Sequence, residues 1–277
     1  MVKGFFNELR ATAARLGFAD PQWLKDSQEP KFKTDEPAGV GPELLLLHGL
    51  LGAVSNWEKV LPGLAKISKP IAFQLPILTA PRPDVKIKAL SLYTEAFIRD
   101  RNLGPVAVCG NSLGGHVALR LCLAHPELVD CLILTGSSGL YEHTVEALPV
   151  RPDREFIHGH MSQVVYNQEL VTKEAIDEIY GIISNKLNLV NLVHAAKSAK
   201  RDNLFDLLPQ IKVPTLLLWG ENDTITPMDV AETFNKRIPG SKLVSIKECG
   251  HAPMLEHPEW FTAQIEKFLK ENSRYYK

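Results

Sequence analysis

One apolar, glycine-rich run organises this sequence: Val106-Ala107-Val108-Cys109-Gly110-Asn111-Ser112-Leu113-Gly114-Gly115-His116-Val117-Ala118. It predicts a buried strand, a tight turn with a serine at its apex, and a helix. The spacing Gly110-x-Ser112-x-Gly114 is typical of a strained strand-to-helix turn that lifts a serine hydroxyl above a sheet. The glycines relieve crowding there because they have no Cβ. The helix that begins near Leu113 points its free N–H groups and positive dipole end at the serine.

Apolar runs of strand length alternate with helical patterns on both sides of this turn. Strands are predicted at 43–47, 70–74, 106–109, 129–134, 214–220 and 242–246, and helices at 56–67, 88–101, 113–124, 227–236 and 258–269. This alternation implies right-handed βαβ crossovers and a mostly parallel central sheet flanked by helices on both faces. The fold class predicted is therefore α/β.

The chain is predicted to have three parts. Residues 1–42 contain a helix near 4–16 followed by an irregular connection. Residues 43–138 and 209–277 form the α/β core. Residues 139–208 have no strand pattern and contain helical stretches near 153–167, 172–184 and 187–201. An all-helical insertion after the strand that follows the helix of Ser112 is expected to cap the carboxyl ends of the strands, where open α/β sheets bind ligands.

Composition and charge narrow the class of protein. The chain has 277 residues and a formal net charge of −1, so nothing directs it toward nucleic acid or an acidic membrane surface. No apolar run approaches the roughly 20 residues that span a bilayer. The first ten residues carry charges where a signal peptide has an unbroken apolar stretch. We expect a cytoplasmic protein whose partner is a small-molecule substrate, and the oligomeric state is not readable.

Neither a cofactor nor a metal is predicted. The four cysteines, Cys109, Cys122, Cys131 and Cys249, match no zinc spacing and are expected to be buried and reduced. The pair His158 and His160 invites a metal hypothesis, but residues two apart on a helix face away from each other. No phosphate-binding glycine motif of the P-loop or dinucleotide type is present.

An aspartate and a histidine follow two later strands. Asp223 lies just beyond the strand at 214–220, where an aspartate is also common as a turn or N-cap residue. His251 follows the strand at 242–246, on a loop that its glycine and proline predict to be non-helical. Glu221 is a rival carboxylate nearer the strand end. His257 is a second histidine in the same connection, expected to face solvent or cap the last helix.

The turn His48-Gly49-Leu50-Leu51-Gly52 follows the strand at 43–47 and offers a second backbone N–H near Ser112. The chain order is then serine, aspartate and histidine, each at the carboxyl end of a strand. With these motifs the sequence resembles the α/β-hydrolase fold superfamily, in its lid-bearing serine hydrolase branch, over residues 43–270.

The resemblance implies roles for individual residues. Ser112 would be the nucleophile, His251 the general base and acid, and Asp223 the carboxylate that orients the histidine. The backbone N–H groups of Leu50 and Leu113 would form the oxyanion hole. Two departures from the family concern other regions. The loop at 75–84 lacks the family's usual Asp-x-x-Gly-x-Gly-x-Ser pattern, and residues 1–42 lack the usual β-hairpin, so edge strands are expected to be missing.

The primary prediction is hydrolysis of a small, fairly apolar carboxylic ester, because a cap excludes large substrates. A carbon–carbon bond hydrolase of the meta-cleavage type is the alternative. Gly110-Asn111-Ser112 resembles that branch, although Ala252 stands where those enzymes usually carry tryptophan. Such an enzyme needs a cation for the substrate carboxylate, and the candidates are Arg151, Arg154 and Arg201. A small-molecule receptor built on the same fold is the alternative from another class.

Overall fold

A computed structural model describes residues 2–26, 30–141 and 152–277. Its centre is a seven-stranded sheet with the order β1-β3-β2-β4-β5-β6-β7. All neighbouring strands run parallel except β1, which pairs antiparallel with β3 at the edge. The strands are β1 Thr34–Asp35, β2 Glu43–Leu47, β3 Lys69–Phe73, β4 Val106–Asn111, β5 Val129–Thr135, β6 Thr215–Gly220 and β7 Lys242–Ile246. The predicted α/β class is confirmed.

Helices connect the strands and cover both faces of the sheet. They are α1 Val2–Arg15, α2 Gln22–Lys25, α3 Leu61–Leu64, α4 Ile87–Asp100, α5 Leu113–Ala124, α6 Arg154–Val164, α7 Lys173–Ile183, α8 Lys186–Arg201, α9 Met228–Arg237, α10 Pro253–Glu256 and α11 Pro258–Asn272. The three helices α6 to α8 lie between β5 and β6 in the chain. The boundaries of a separate cap at 139–208 stay a prediction. None of the described helices is long and apolar enough to cross a membrane.

The strand order creates a crevice at the carboxyl ends of the strands. From β2 the chain moves outward to β3, and it then returns to β4 on the other side of β2. The loops after β2 and β4 therefore leave the sheet in opposite directions while their strands remain neighbours. Ligands bind at such switch points in open α/β sheets. The turns at His48–Gly52 and at Ser112 flank this one.

Alternate residues of the strands pack into different hydrophobic clusters. Val106 and Val108 of β4 face the cluster that holds α4, α5 and α9. Ala107 and Cys109 face the opposite cluster, which holds α3 and α11. Successive side chains of a strand point to opposite faces, so a strand buried on both faces must be apolar throughout. This requirement explains the unbroken apolar runs in the sequence.

The prediction of one helix over 56–67 was wrong. The structure instead has a 3₁₀ turn at Val54–Trp57 and the short helix α3. Pro62 is tolerated in the first turn of α3, but its ring would clash with the carbonyl four residues earlier in a longer helix. The predicted apolar face nevertheless packs inward, since Trp57 and Leu64 are both fully buried.

The amino-terminal region is more ordered than the predicted irregular connection. The helix near 4–16 is confirmed as α1, and its residues Leu9 and Ala13 pack against α4. The connection contains α2 and the two-residue strand β1. The edge of the sheet thus keeps one short antiparallel strand, because only Thr34 and Asp35 pair with β3.

Candidate active site

Ser112 lies between β4 and α5 in a backbone conformation that side chains rarely adopt. Its φ is 53° and its ψ is −119°. A non-glycine residue at such a position carries strain of about 1–3 kcal/mol, which surrounding contacts must offset. Two hydrogen bonds do so here: the N–H of Ser112 donates to the carbonyl of Thr135, and its own carbonyl accepts from Ser138 N–H. The turn is held by β5, the neighbouring strand, and by the loop that follows β5.

Close packing explains both glycines of the motif. A Cβ on Gly110 would lie 2.5 Å from the carbonyl of Gly114, and a Cβ on Gly114 would lie 2.1 Å from the carbonyl oxygen of Leu47. Real Cβ atoms do not approach backbone atoms so closely. The first turn of α5 therefore rests directly on the ends of β2 and β4. The predicted relief of crowding by these two glycines is confirmed.

The turn after β2 lies against the serine. A Cβ on Gly49 would be 3.3 Å from the Cβ of Ser112, so the two turns are in contact at this point. Leu50 follows in the turn and is half-buried, whereas Leu113 is buried as the first residue of α5. Both predicted oxyanion donors are thus within the two turns that flank the crevice. Leu113 directly follows Ser112, and Leu50 directly follows Gly49, which lies against Ser112.

His48 fixes the orientation of the Gly49–Leu50 peptide. Its Nε2 accepts a hydrogen bond from Leu75 N–H at 3.0 Å, so the ring proton is on Nδ1 and is donated to the carbonyl of Gly49 at 2.7 Å. Burial lowers the pKa of His48 to about 4, and the ring stays neutral. Because a trans peptide is planar, holding this carbonyl points the N–H of Leu50 the opposite way.

Asp223 and His251 meet across the ends of β6 and β7. Nδ1 of His251 lies 2.8 Å from Oδ2 of Asp223, and both residues are buried. The other carboxylate oxygen of Asp223 accepts the backbone N–H groups of Ile225 and Thr226, each at 2.9 Å. Asp223 therefore forms both the turn bonds typical of an aspartate at this position and a contact with the histidine.

Thr226 is a member of this group that sequence reasoning missed. Its hydroxyl donates to Oδ2 of Asp223 at 2.9 Å and lies 3.3 Å from Nδ1 of His251. The sequence places Thr226 three residues after Asp223, and a threonine hydroxyl at this spacing can donate a hydrogen bond to the aspartate carboxylate. The indole N–H of Trp219 in turn donates to the carbonyl of Thr226. Hydrogen bonds from its own loop thus hold the carboxylate of Asp223 in place independently of its contact with the histidine.

Asn111 links the serine turn to the histidine loop. It immediately precedes Ser112, and its side-chain amide donates to the backbone carbonyl of His251 at 3.1 Å. The same amide group donates to the carbonyl of Thr135 at 3.1 Å. One buried side chain therefore holds the loop of His251 next to the turn of Ser112. The predicted residues Ser112, Asp223 and His251 converge at one edge of the sheet.

The rival residues lie elsewhere. Glu221 is exposed and accepts a hydrogen bond from Ser245 at 3.0 Å. His257 is half-buried at the start of α11, where its Nε2 contacts the carbonyl of Glu248 at 3.0 Å. The predicted non-helical loop after His251 was wrong in one respect, because Pro253 begins the single turn α10. Proline is favoured at the first helical position, and this explains the turn.

The remaining candidates are accounted for by burial and pairing. Burial raises the pKa of all four cysteine thiols, which keeps them protonated and poorly nucleophilic. Arg154 of α6 contacts Asp177 at 2.6 Å and stacks over Tyr180. Arg201 is exposed, and Arg151 lies outside the described residues. Among the residues that the structure describes, no group of three or more His, Cys, Asp or Glu side chains is arranged to hold a metal ion.

The carboxyl end of α8 is anchored to the helix of the serine. Asp202 pairs with Arg120 of α5 at 2.5 Å, and its carboxylate also lies 3.2 Å from the ring of His116. Although burial by itself raises the pKa of Asp202, hydrogen bonds from these two residues hold it below its ordinary value. The polypeptide that returns from α8 toward β6 is therefore tied to α5, four to eight residues after Ser112.

Comparison with known proteins agrees with this architecture. The sequence profile described as the Alpha/beta hydrolase family matches residues 44–264. The chain belongs to this family and is an enzyme of the hydrolase class. A solved alpha/beta hydrolase from the metagenome of sediments of the lagoon of Mar Chica, Morocco, is 34% identical and superimposes with a TM-score of 0.70. That likeness covers 88% of this chain and 97% of the other.

Two characterised relatives differ in their reactions. Pimeloyl-[acyl-carrier protein] methyl ester esterase of Nitrosomonas europaea is 30% identical over 82% of this chain and 96% of its own length. The 2-hydroxy-6-oxo-6-(2'-aminophenyl)hexa-2,4-dienoic acid hydrolase of Metapseudomonas resinovorans is also 30% identical, over 84% of this chain and 85% of its own. These similarities identify the family. They do not determine whether an ester bond or a carbon–carbon bond is cleaved.

Proposed function

We propose that this enzyme hydrolyses a small, fairly apolar carboxylic ester through a Ser112–His251–Asp223 triad. The observation that carries the proposal is the contact of 2.8 Å between His251 and Asp223, at the same sheet edge as the strained turn of Ser112. A serine hydroxyl is a weak nucleophile until a base takes its proton. A histidine oriented by a buried carboxylate supplies that base.

The reaction has two steps. In the first, Oγ of Ser112 attacks the ester carbonyl carbon and gives its proton to Nε2 of His251, and the tetrahedral oxyanion lies between the N–H groups of Leu50 and Leu113. The carbon–oxygen bond then breaks, and His251 returns the proton to the leaving alkoxide. In the second, water attacks the acyl-enzyme with His251 as base, which releases the acid and restores Ser112. Each oxyanion donor contributes about 3 kcal/mol in well-studied hydrolases.

Apolar surroundings support the choice of substrate class. Leu50 and Leu51 after β2, and Leu78 after β3, are half-buried side chains that pack on the main hydrophobic cluster. The end of α6 contacts the histidine loop, because His251 N–H donates to the carbonyl of Val164. We infer that residues 139–208 form a cap over the crevice and limit the size of the substrate. The name of the Nitrosomonas relative, a methyl ester esterase, supports an ester bond.

Carbon–carbon bond hydrolysis is the second candidate. The similarity to the dienoic acid hydrolase of Metapseudomonas resinovorans favours it. Two features of the chain weigh against it: Ala252 is buried where that branch usually has tryptophan, and Arg154 is already engaged by Asp177 and Tyr180. Receptor function receives no support, because the relatives are hydrolases.

A substrate panel tests the proposal. Wild type and Ser112→Ala are assayed on p-nitrophenyl esters of increasing acyl length and, in parallel, on a meta-cleavage dienoate. We expect a burst of p-nitrophenol and the highest kcat/KM on short or medium acyl chains, with no activity in the variant. Preferential cleavage of the dienoate would replace the ester proposal with the second candidate. No turnover of either class would reject both.

A further inference from the structure

The last two residues of α6 and the three residues that follow it lie against the loops of both Asp223 and His251. We call residues 163–167 the bridging segment. The carbonyl of Val164 accepts the backbone N–H of His251 at 2.7 Å. The carbonyl of Gln163 accepts the hydroxyl of Thr224, the residue after Asp223, at 3.0 Å. The bridging segment therefore bonds to the main chain of the histidine itself and to the loop of its carboxylate partner.

Glu256 joins the bridging segment to the histidine loop. Oε2 of its carboxylate accepts the N–H groups of Tyr166 and Asn167, at 2.7 Å and 2.8 Å. Oε1 accepts the N–H of Gly250, the residue before His251, at 2.7 Å. Three backbone donors on one carboxylate are short, charge-assisted hydrogen bonds, which are about twice as strong as neutral ones. The turn α10 brings this carboxylate back over the loop that precedes it.

The backbone of the bridging segment packs closely against the backbone of the histidine loop. A Cβ on Gly250 would lie 2.6 Å from the carbonyl oxygen of Val164 and 3.0 Å from the N–H nitrogen of Tyr166. No side chain separates the bridging segment from the residue before the histidine. A shift of the bridging segment toward this loop must therefore move the peptide of Gly250 and His251, and a shift away from it must break the bonds to Glu256.

We propose that Glu256 is a positioning residue that makes the orientation of His251 depend on the position of the bridging segment. The inference rests on the proposed function, in which His251 is the base. The carboxylate of Glu256 need not touch substrate. It holds the backbone on both sides of the contact, so that any substrate that displaces α6 alters proton transfer at His251 as well as binding.

A merely structural Glu256 would behave differently. Loss of a stabilising carboxylate would lower the free energy of unfolding and leave kcat of the folded enzyme unchanged. A positioning Glu256 must instead change kcat more than KM, because the misplaced group is the base and not the binding surface. Replacing a positioning Glu256 must also loosen the bridging segment and the histidine loop together.

Glu256→Gln is the primary variant, and Glu259→Gln is its matched control. The glutamine is isosteric, but its NH₂ group is a donor and must face either Gly250 or the pair Tyr166 and Asn167. The hydrogen bonds from the backbone N–H groups on that side are therefore lost. Glu259 is exposed on α11 and loses the same charge. On a p-nitrophenyl ester we expect kcat of Glu256→Gln to fall about 10- to 100-fold with KM changed by less than about threefold. The control should stay within about twofold of wild type.

Hydrogen–deuterium exchange supplies a readout that needs no substrate. In Glu256→Gln, peptides covering 163–167 and 249–252 should both exchange faster, while peptides in β4 and β5 keep their wild-type rates. Unchanged kcat in an active enzyme, or faster exchange in only one of the two segments, would overturn the inference. If wild type cleaves no ester, the proposed function fails, and exchange alone then decides whether Glu256 couples the segments.

Thr224→Val keeps the inference testable if Glu256→Gln does not fold. It removes one hydrogen bond to the bridging segment from the other side, at an exposed residue. We expect the same pattern at smaller amplitude: a fall in kcat of a few-fold, and faster exchange at 163–167 and 249–252. Absence of both changes in Thr224→Val would contradict a role of the bridging segment in positioning His251.

Discussion

His251 and His125 are buried histidines that each contact a carboxylate and a hydroxyl. Nδ1 of His251 lies 2.8 Å from Oδ2 of Asp223 and 3.3 Å from the hydroxyl of Thr226. Nδ1 of His125 lies 2.7 Å from Glu127, and its Nε2 lies 2.9 Å from the hydroxyl of Thr12 in α1. The distances from His125 to Thr12 and Glu127 are therefore within the range expected of a hydroxyl, a base and an orienting carboxylate.

The surroundings separate the two groups. Thr12 is 3% exposed inside α1, and its hydroxyl lies 3.2 Å from the carbonyl of Glu8. Nε2 of His125 is also approached by Arg15 at 2.8 Å and by Glu95 at 3.1 Å. A helix interior has no free N–H groups to stabilise an oxyanion. A histidine between a carboxylate and a hydroxyl therefore does not by itself define a catalytic site. The strained turn at the N-terminus of α5 distinguishes the site of Ser112.

Replacing the two hydroxyl residues gives the largest expected contrast. Ser112→Ala should lower kcat by about 10⁴-fold or more, because no other group in the turn can form the acyl-enzyme. Thr12→Val should leave kcat within about twofold of wild type. Both are measured by steady-state hydrolysis of the best p-nitrophenyl ester, with circular dichroism as the control for folding. Retention of more than a few per cent of activity in Ser112→Ala would contradict the assignment of the nucleophile.

Replacing the two carboxylates sharpens the comparison. Asp223→Asn should lower kcat by about 10³- to 10⁴-fold, because an amide no longer fixes the ring tautomer or stabilises the imidazolium. Glu127→Gln, which is largely exposed, should leave kcat unchanged. Pre-steady-state bursts and steady-state rates measure both variants. Equal losses in the two variants would mean that the network under α1 also serves catalysis.

His48 extends the comparison to a buried histidine without a carboxylate. Its pKa is about 4 in the folded protein, whereas an unfolded histidine titrates near 6.5. Between these values the unfolded chain binds a proton that the folded chain does not, so the free energy of unfolding rises with pH. Stability contributed at neutral pH is therefore lost as the pH falls from 6.5 to 4, by up to about 3 kcal/mol.

Urea titrations at several pH values between 4 and 7 measure this loss. The variant His48→Gln keeps a polar side chain but has no proton to bind in that range. Its free energy of unfolding should depend less steeply on pH than that of wild type, even if it is lower at pH 7. Parallel pH profiles of the two proteins would show that His48 does not contribute.

The smallest expected effect concerns the strain at Ser112. With φ at 53°, alanine at this position keeps the strain, whereas glycine adopts such a conformation at little cost. Ser112→Gly should therefore be more stable than Ser112→Ala by about 1 kcal/mol. Thermal and urea unfolding of the two inactive variants measure the difference. A less stable glycine variant would indicate that the turn relaxes when the serine is absent.

Local features of the sequence were sufficient to predict much of the candidate site. The strand before Ser112, the glycines around it and the apolar runs before Asp223 and His251 each depend on neighbouring residues. Partners far apart in the chain were not predictable. Glu256 bonds to Tyr166, 90 residues earlier, and Asn111 bonds to His251, 140 residues later. Nothing in the local pattern of either residue marks its partner.

The helix expected over 56–67 failed for a local reason. Its apolar spacing was correct, and the burial of Trp57 and Leu64 follows from it. The backbone is nevertheless divided, because Pro62 limits how far a helix extends on its amino side. Periodicity therefore predicted which side chains are buried better than it predicted the hydrogen bonding of the main chain.

By itself the sequence determined an α/β sheet whose strand ends carry a serine, an aspartate and a histidine in that order. Apolar periodicity and glycine spacing act over a few residues, and they can be identified from the sequence alone. Only the tertiary structure decided which carboxylate meets His251, that His48 is neutral, and that Glu256 bonds to the bridging segment. Those outcomes depend on burial and on hydrogen-bond distances between loops that the sheet brings together.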